Sequence, residues 1–150
     1  MVMRRTKKED ISEIVRIKLQ MHREGGYFDL LRDDIDSFIE KTYQFLYSSQ
    51  KAIHFVFKHD GKIISCAGGF IKSEMPYSFR KIPFYGYITD VYTIPTYRNN
   101  GYASALVQQV IDWLQSNGIK DIRLISTLQS RKIYEKIGFR ATDEMVLSIE

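Results

Sequence analysis

The sequence predicts a mixed α/β fold, one mostly antiparallel sheet of six to seven strands with about four helices on its two faces. Two observations predict it. Apolar residues recur with helical spacing in some segments and as β-branched and aromatic runs in others, in the order β-α-α-β-β-β-α-β-α-β-β. The early strands are joined as antiparallel hairpins, whereas a later pair is separated by a helix. That crossover calls for a parallel pair in the same sheet. No linker interrupts the 150 residues, so a single domain over 1–150 is expected.

Each element has a local cause. Val2–Arg5 reads as a short first strand. Thr6-Lys7-Lys8-Glu9 has the form of a capping box, and Ile11, Ile14, Val15 and Leu19 follow on one helical face until Gly25-Gly26. Asp33 or Asp34 caps a second helix with Ile35, Phe38, Ile39, Tyr43 and Leu46 as its apolar stripe. Ile53–Phe57 and Lys62–Ile71 are strands around an Asp60-Gly61 hairpin turn. Lys72–Pro83 carries two prolines and reads as a loop, and Phe84–Ile94 is the next strand. Ala103, Val107, Val110, Ile111 and Leu114 share one face of a helix closed by Asn117-Gly118. Ile122–Ser126 is a strand, and Thr127 caps a short helix through Lys136, stopped at Gly138. Phe139–Ala141 and Glu144–Ile149 finish as strands.

Composition narrows the function classes. Apolar residues are 44% and charged residues 27%, near the globular average. A single Cys excludes an internal disulfide and a cysteine-based zinc cage, and fits a reducing cytoplasm. No run approaches the ~20 apolar residues of a membrane helix, and the N-terminus has no apolar signal region. The net charge is +4, and the whole excess falls in residues 51–100, with seven basic and three acidic side chains. That reads as scattered surface Lys and Arg or as a mildly positive site for an anionic ligand, and it is too sparse for a nucleic-acid stripe.

The chemistry concentrates in Asp90–Ala103, a strand, a turn with Gly101 and a helix start. A helix N-terminus presents unpaired N–H groups and positive dipole, a ready site for phosphate. Gly101 and the small Ala103 let an anion approach the backbone. The segment lacks the Gly-Lys-Ser/Thr of a Walker A loop and the glycine triplet of a dinucleotide fingerprint.

Arg98-x-x-Gly101-x-Ala103, placed after a strand ending Val91-Tyr92-Thr93-Ile94-Pro95, resembles the signature of the Gcn5-related N-acetyltransferases (GNAT). Tyr134-Glu135-Lys136-Ile137-Gly138-Phe139 resembles the family's second signature, and Glu144-Met145-Val146-Leu147 resembles the ending of one bacterial branch. The resemblance implies a GNAT-like fold with a splayed central pair of strands. It implies acetyl-CoA as cosubstrate, no metal, and direct transfer of the acetyl group to a primary amine of a small molecule or peptide. Val91 and Thr93 would offer backbone groups to the pantetheine arm. Asn99, Asn100, Gly101, Tyr102, Ala103 and Ser104 would hold the pyrophosphate, with Arg98 alongside. Tyr134 would be the general acid that protonates the departing thiolate. The family's usual pantetheine-contacting Asn is replaced by Thr127, read as a helix cap, and a common Ala by Ser130.

Several readings stay open in the sequence. The base is one of Asp90, Glu74, His22, His54 and His59, or a water relayed along Tyr85 and Tyr87. Cys66 reads as a small buried apolar residue. The acceptor would be chosen by Met21–Arg32 and Lys72–Phe84, where Tyr27, Phe28, Tyr77, Phe79 and Phe84 could wall a pocket. The alternative to an enzyme is a non-catalytic acyl-CoA-binding module of the same fold. Neither nucleic acid nor membrane is an expected partner, and a homodimer is allowed.

Overall fold

In the computed structural model, residues 1–26, 28–74 and 82–149 are described. Five strands form one sheet in chain order: β1 (Val2–Arg5), β2 (Ala52–His59), β3 (Lys62–Ser73), β4 (Phe84–Thr93) and β5 (Ile122–Leu124). The first three pairings are antiparallel, and β4 pairs with β5 in parallel. The helices are α1 (Ile11–Glu24), α2 (Ile35–Ser48), α3 (Tyr102–Ser116) and α4 (Arg131–Ile137).

The helices cover both faces. Ile11, Ile14 and Ile17 of α1 and Ile39 and Tyr43 of α2 pack with Val56, Ile63 and Tyr92 on one side. Leu106, Val107, Val110 and Leu114 of α3 and Tyr134 of α4 pack with Ala67 and Ile88 on the other. The β2–β3 turn has Asp60 and Gly61 both at positive φ (49° and 75°), as a two-residue hairpin of the mirror-image type requires. The α3 layer sits close on the sheet: a Cβ on Gly69 would lie 2.5 Å from Val110 Cγ1.

Three expectations are corrected. The helix start lies one residue later than the Thr6 box: a 3₁₀ turn over Lys8–Asp10 leads into α1, and Lys7 N–H donates to Asp10 Oδ2 at 2.7 Å. Thr6 is instead buried, its hydroxyl donating to the His54 carbonyl at 2.9 Å. Phe38, placed in the α2 stripe, is 49% exposed. The sheet has five strands rather than six or seven, because no strand occurs over residues 139–149. Met145, Val146, Leu147 and Ile149 carry a strand-like composition but are 84–92% exposed. Strand preference is realised only against a partner edge. No helix among the described residues is long and apolar enough to cross a membrane.

Candidate active site

The site begins where the sheet parts. β4 pairs with β5 only over Gly86–Ile88, so from Thr89 to Thr93 it has no ladder partner on that side. The chain then turns through Pro95–Tyr97 and enters α3. Asn99 and Gly101 both take left-handed backbone, φ 64° and 75°, and bend the chain into the helix without a side-chain cap. The first helical bond is donated by Ala105 N–H to the Gly101 carbonyl at 3.1 Å, which leaves the Tyr102, Ala103 and Ser104 N–H groups to a ligand.

A groove of about 800 Å³ runs along this parting. Val91, Thr93, Arg98, Asn99, Asn100, Gly101, Tyr102, Ala103, Ser104 and Tyr134 all border it. The residues expected at the cofactor and the expected general acid are therefore brought to one concavity, whereas the base candidates Glu74, His22, His54 and His59 do not border it. Thr127 and Ser130 border it too, but they bond to each other: Thr127 N–H donates to Ser130 Oγ at 3.0 Å, and Ser130 N–H to Thr127 Oγ1 at 3.2 Å. This reciprocal pair closes the turn ahead of α4, whose N-cap position is Ser130 rather than the expected Thr127.

Tyr134 is 8% exposed, and its ring meets Phe139 edge-on at 5.9 Å. Among the described residues nothing hydrogen-bonds its hydroxyl, and burial raises its pKa above the usual phenol value. It therefore carries its proton throughout the neutral range at the border of the groove.

Arg98 is more constrained than the motif alone indicates. Its Nε donates to the Thr93 carbonyl at 2.9 Å, and a terminal nitrogen donates to Glu24 Oε1 at 2.6 Å. Glu24 also accepts the Tyr92 hydroxyl at 2.6 Å. The hydrogen bonds from Tyr92 and Arg98 hold the Glu24 carboxyl below its ordinary range. Glu24, at the end of α1 and on the rim of the groove, was not legible in the sequence. Its partners lie 68 and 74 residues away, and no local pattern marks such a pairing.

The base candidates separate clearly. Burial alone would raise Asp90, but the Lys18 charge and the His54 hydrogen bond hold it well below the carboxylate range. It is turned into the α1–α2 layer, where it forms an internal ion pair with Lys18 and meets His54. Glu74 accepts from Arg123. His54 is fully buried, and His59 is partly exposed beside Asp60 and Tyr97. His22 is half-buried, and burial and the Lys18 charge favour its neutral form. Cys66 is buried, and burial pushes its thiol far up, so it behaves as a small apolar residue. Tyr27, Tyr77 and Phe79 lie outside the described residues; Phe28 and Phe84 stand under Arg23 and Lys51, at 4.2 and 4.6 Å from cation to ring centre. No group of three or more His, Cys, Asp or Glu among the described residues is placed to hold a metal ion.

Solved acetyltransferases share this fold. A predicted acetyltransferase from Clostridium acetobutylicum, solved with acetyl-CoA, matches with a TM-score of 0.87 at 27% identity, covering 99% of this chain and 95% of that one. A GCN5-related N-acetyltransferase from Ralstonia eutropha JMP134 shares the fold with a TM-score of 0.83 at 21% identity, over 99% and 97% of the two chains. The model of the Acetyltransferase (GNAT) family matches residues 18–139, and the chain belongs to that family. A glucosamine 6-phosphate N-acetyltransferase of Trypanosoma brucei brucei is 32% identical over 93 residues, a match that spans 61% of each chain.

Proposed function

We propose that this protein is an acetyl-CoA-dependent N-acetyltransferase that transfers the acetyl group directly to a primary amine. One observation carries the reading: the nine residues expected at the cofactor and Tyr134 border a single groove at the parting of β4 and β5. Unpaired N–H groups at the α3 start suit a pyrophosphate. From Thr89 to Thr93 β4 has no ladder partner toward β5, with Arg98 occupying the Thr93 carbonyl, and that open edge suits an extended amide-bearing arm. Acetyl-CoA supplies an activated thioester. The amine nitrogen bonds to the acetyl carbon, the carbon–sulfur bond breaks, and Tyr134 gives its proton to the departing sulfur. The ammonium first gives one proton to water in the groove, because Asp90 and His54 are both spent in buried contacts, and the neutral amine attacks; after the carbon–sulfur bond breaks, the nitrogen releases its second proton, which restores the Tyr134 phenol.

The acceptor is an amine of a small molecule or peptide. The trypanosomal relative's name makes an amino-sugar phosphate one member of the panel to try. The test is thiol release from acetyl-CoA across that panel, with the Tyr134→Phe variant beside the wild type. Turnover that depends on both an amine and the Tyr134 hydroxyl supports the enzyme. Binding of CoA without turnover on any amine supports the alternative, an acyl-CoA-binding module.

A further inference from the structure

Asp90 is 2% exposed and sits inside β4 with φ 57°, in the left-handed region. A non-glycine residue holds that conformation within a strand only where its surroundings over-determine it, although Asp tolerates it better than most. The β3–β4 register slips at this point. Cys66 lies opposite Tyr92 and Gly68 opposite Thr89, so Asp90 and Val91 together face Ala67. This is a bulge, and bulges re-aim side chains.

The slip reverses the alternation of the strand. Ile88 and Val91 both pack in the α3–α4 layer, whereas Tyr92 packs in the α1–α2 layer and Asp90 reaches into it. In a regular strand Ile88 and Asp90 would share a face, and Val91 would point the other way. What secures the reversal is a set of donors from four elements. Lys18 of α1 donates to Oδ1, and the Tyr43 hydroxyl of α2 donates to Oδ2. His54 Nε2 of β2 is 2.9 Å from Oδ2, and the Cys66 thiol of β3 donates to the Asp90 carbonyl at 3.0 Å. His54 is held in turn, with Nδ1 2.8 Å from the Tyr47 hydroxyl, itself 2.6 Å from Thr6 Oγ1. A Cβ on Gly68 would lie 2.7 Å from His54 Nε2, so glycine leaves room for this ring.

We propose that Asp90 is a positioning residue of the acetyl-transfer site: clamped by Lys18, Tyr43 and His54, it holds the bulge that turns Val91 into the Tyr134 side of the groove. This rests on the reading that acetyl-CoA lies along Val91 and Thr93. Asp90 itself touches no reacting atom. Its carboxylate fixes the strand from behind, and the backbone in front meets the acyl group.

The test uses the wild type, Asp90→Asn and Asp90→Gly. Asn keeps the size but sets an amide against three donors; Gly keeps the backbone freedom but removes the clamp. Three measurements are made on each folded protein: CoA affinity by calorimetry, the ¹³C signal of carbonyl-labelled acetyl-CoA when bound, and steady-state turnover with an accepted amine. The pyrophosphate contacts are remote from the bulge, so CoA affinity should stay within about threefold while, with an accepted amine, kcat falls at least about tenfold at little-changed KM. The bound carbonyl signal should move toward that of free acetyl-CoA. Should both variants fail to fold, Tyr43→Phe removes one donor and leaves the carboxylate, and its carbonyl signal should move the same way by less. A carbonyl signal identical to wild type in the folded variants overturns the proposal and reduces Asp90 to an ion pair of the core. A wild type that binds no CoA overturns the cofactor reading instead, which the same calorimetry shows separately.

Discussion

Burial keeps the Tyr134 phenol protonated, and in the proposed reaction it would also desolvate the sulfur leaving beside it, so that acid and leaving group would rise together. A general acid contributes about 10²–10⁴-fold, so Tyr134→Phe should cost at least about tenfold in turnover with CoA affinity little changed. Because the pKa is raised, the acid form persists at alkaline pH. The rate should therefore climb as the amine loses its proton and should not fall again below about pH 9 on account of Tyr134. Asp10 gives a second single-residue prediction. The hydrogen bonds from Arg4, 2.7 and 2.9 Å long, hold its carboxyl down at about 2. A depressed carboxyl stabilises the fold above its unfolded value near 4 and loses that contribution as pH falls toward 2. Arg4 is partly exposed, so solvent screening leaves about 1–2 kcal/mol. Thermal unfolding from pH 7 to pH 2 should show wild type and Asp10→Asn converging at the acid end.

At the scale of elements, the seat of α3 on β3 is the most constrained packing. Gly69→Ala would drive a methyl into the fully buried Val110 and should cost about 1–3 kcal/mol in urea unfolding, without altering CoA affinity. Helices and central strands were legible because local signals sufficed: the apolar stripes of α1 and α3, the Asp60-Gly61 turn, and glycine closing α1 and α4. The last two strands were not. Glu144–Ile149 has the composition of a strand, but pairing is decided by a distant edge. The Thr6 box misled for a related reason: its hydroxyl serves the interior beside His54, and Asp10 serves the helix. The bulge at Asp90 was hidden too, since its donors Lys18, Tyr43 and His54 lie 72, 47 and 36 residues away.

Across the whole molecule, the two helical layers do different work. The α1–α2 layer grips the back of β4 through Asp90, and the α3–α4 layer supplies the helix start and the Tyr134 phenol at its front. The groove lies where β4, past Ile88, has left its pairing with β5. The excess positive charge of the middle segment favours an anionic ligand, so CoA affinity should weaken as salt is raised. The candidate site was legible in the sequence because its parts are contiguous, residues 91–104, with Tyr134 added by a second short pattern. The central claim is that the pyrophosphate of acetyl-CoA rests on the start of α3. Calorimetric titration of CoA into the wild type and Gly101→Asp tests it most directly. Gly101 already holds left-handed backbone, which Asp tolerates, and no atom crowds its Cβ position, so the fold should survive while a carboxylate enters the anion site. Affinity should fall at least about tenfold by charge repulsion alone; equal affinity in the two proteins would contradict the assignment.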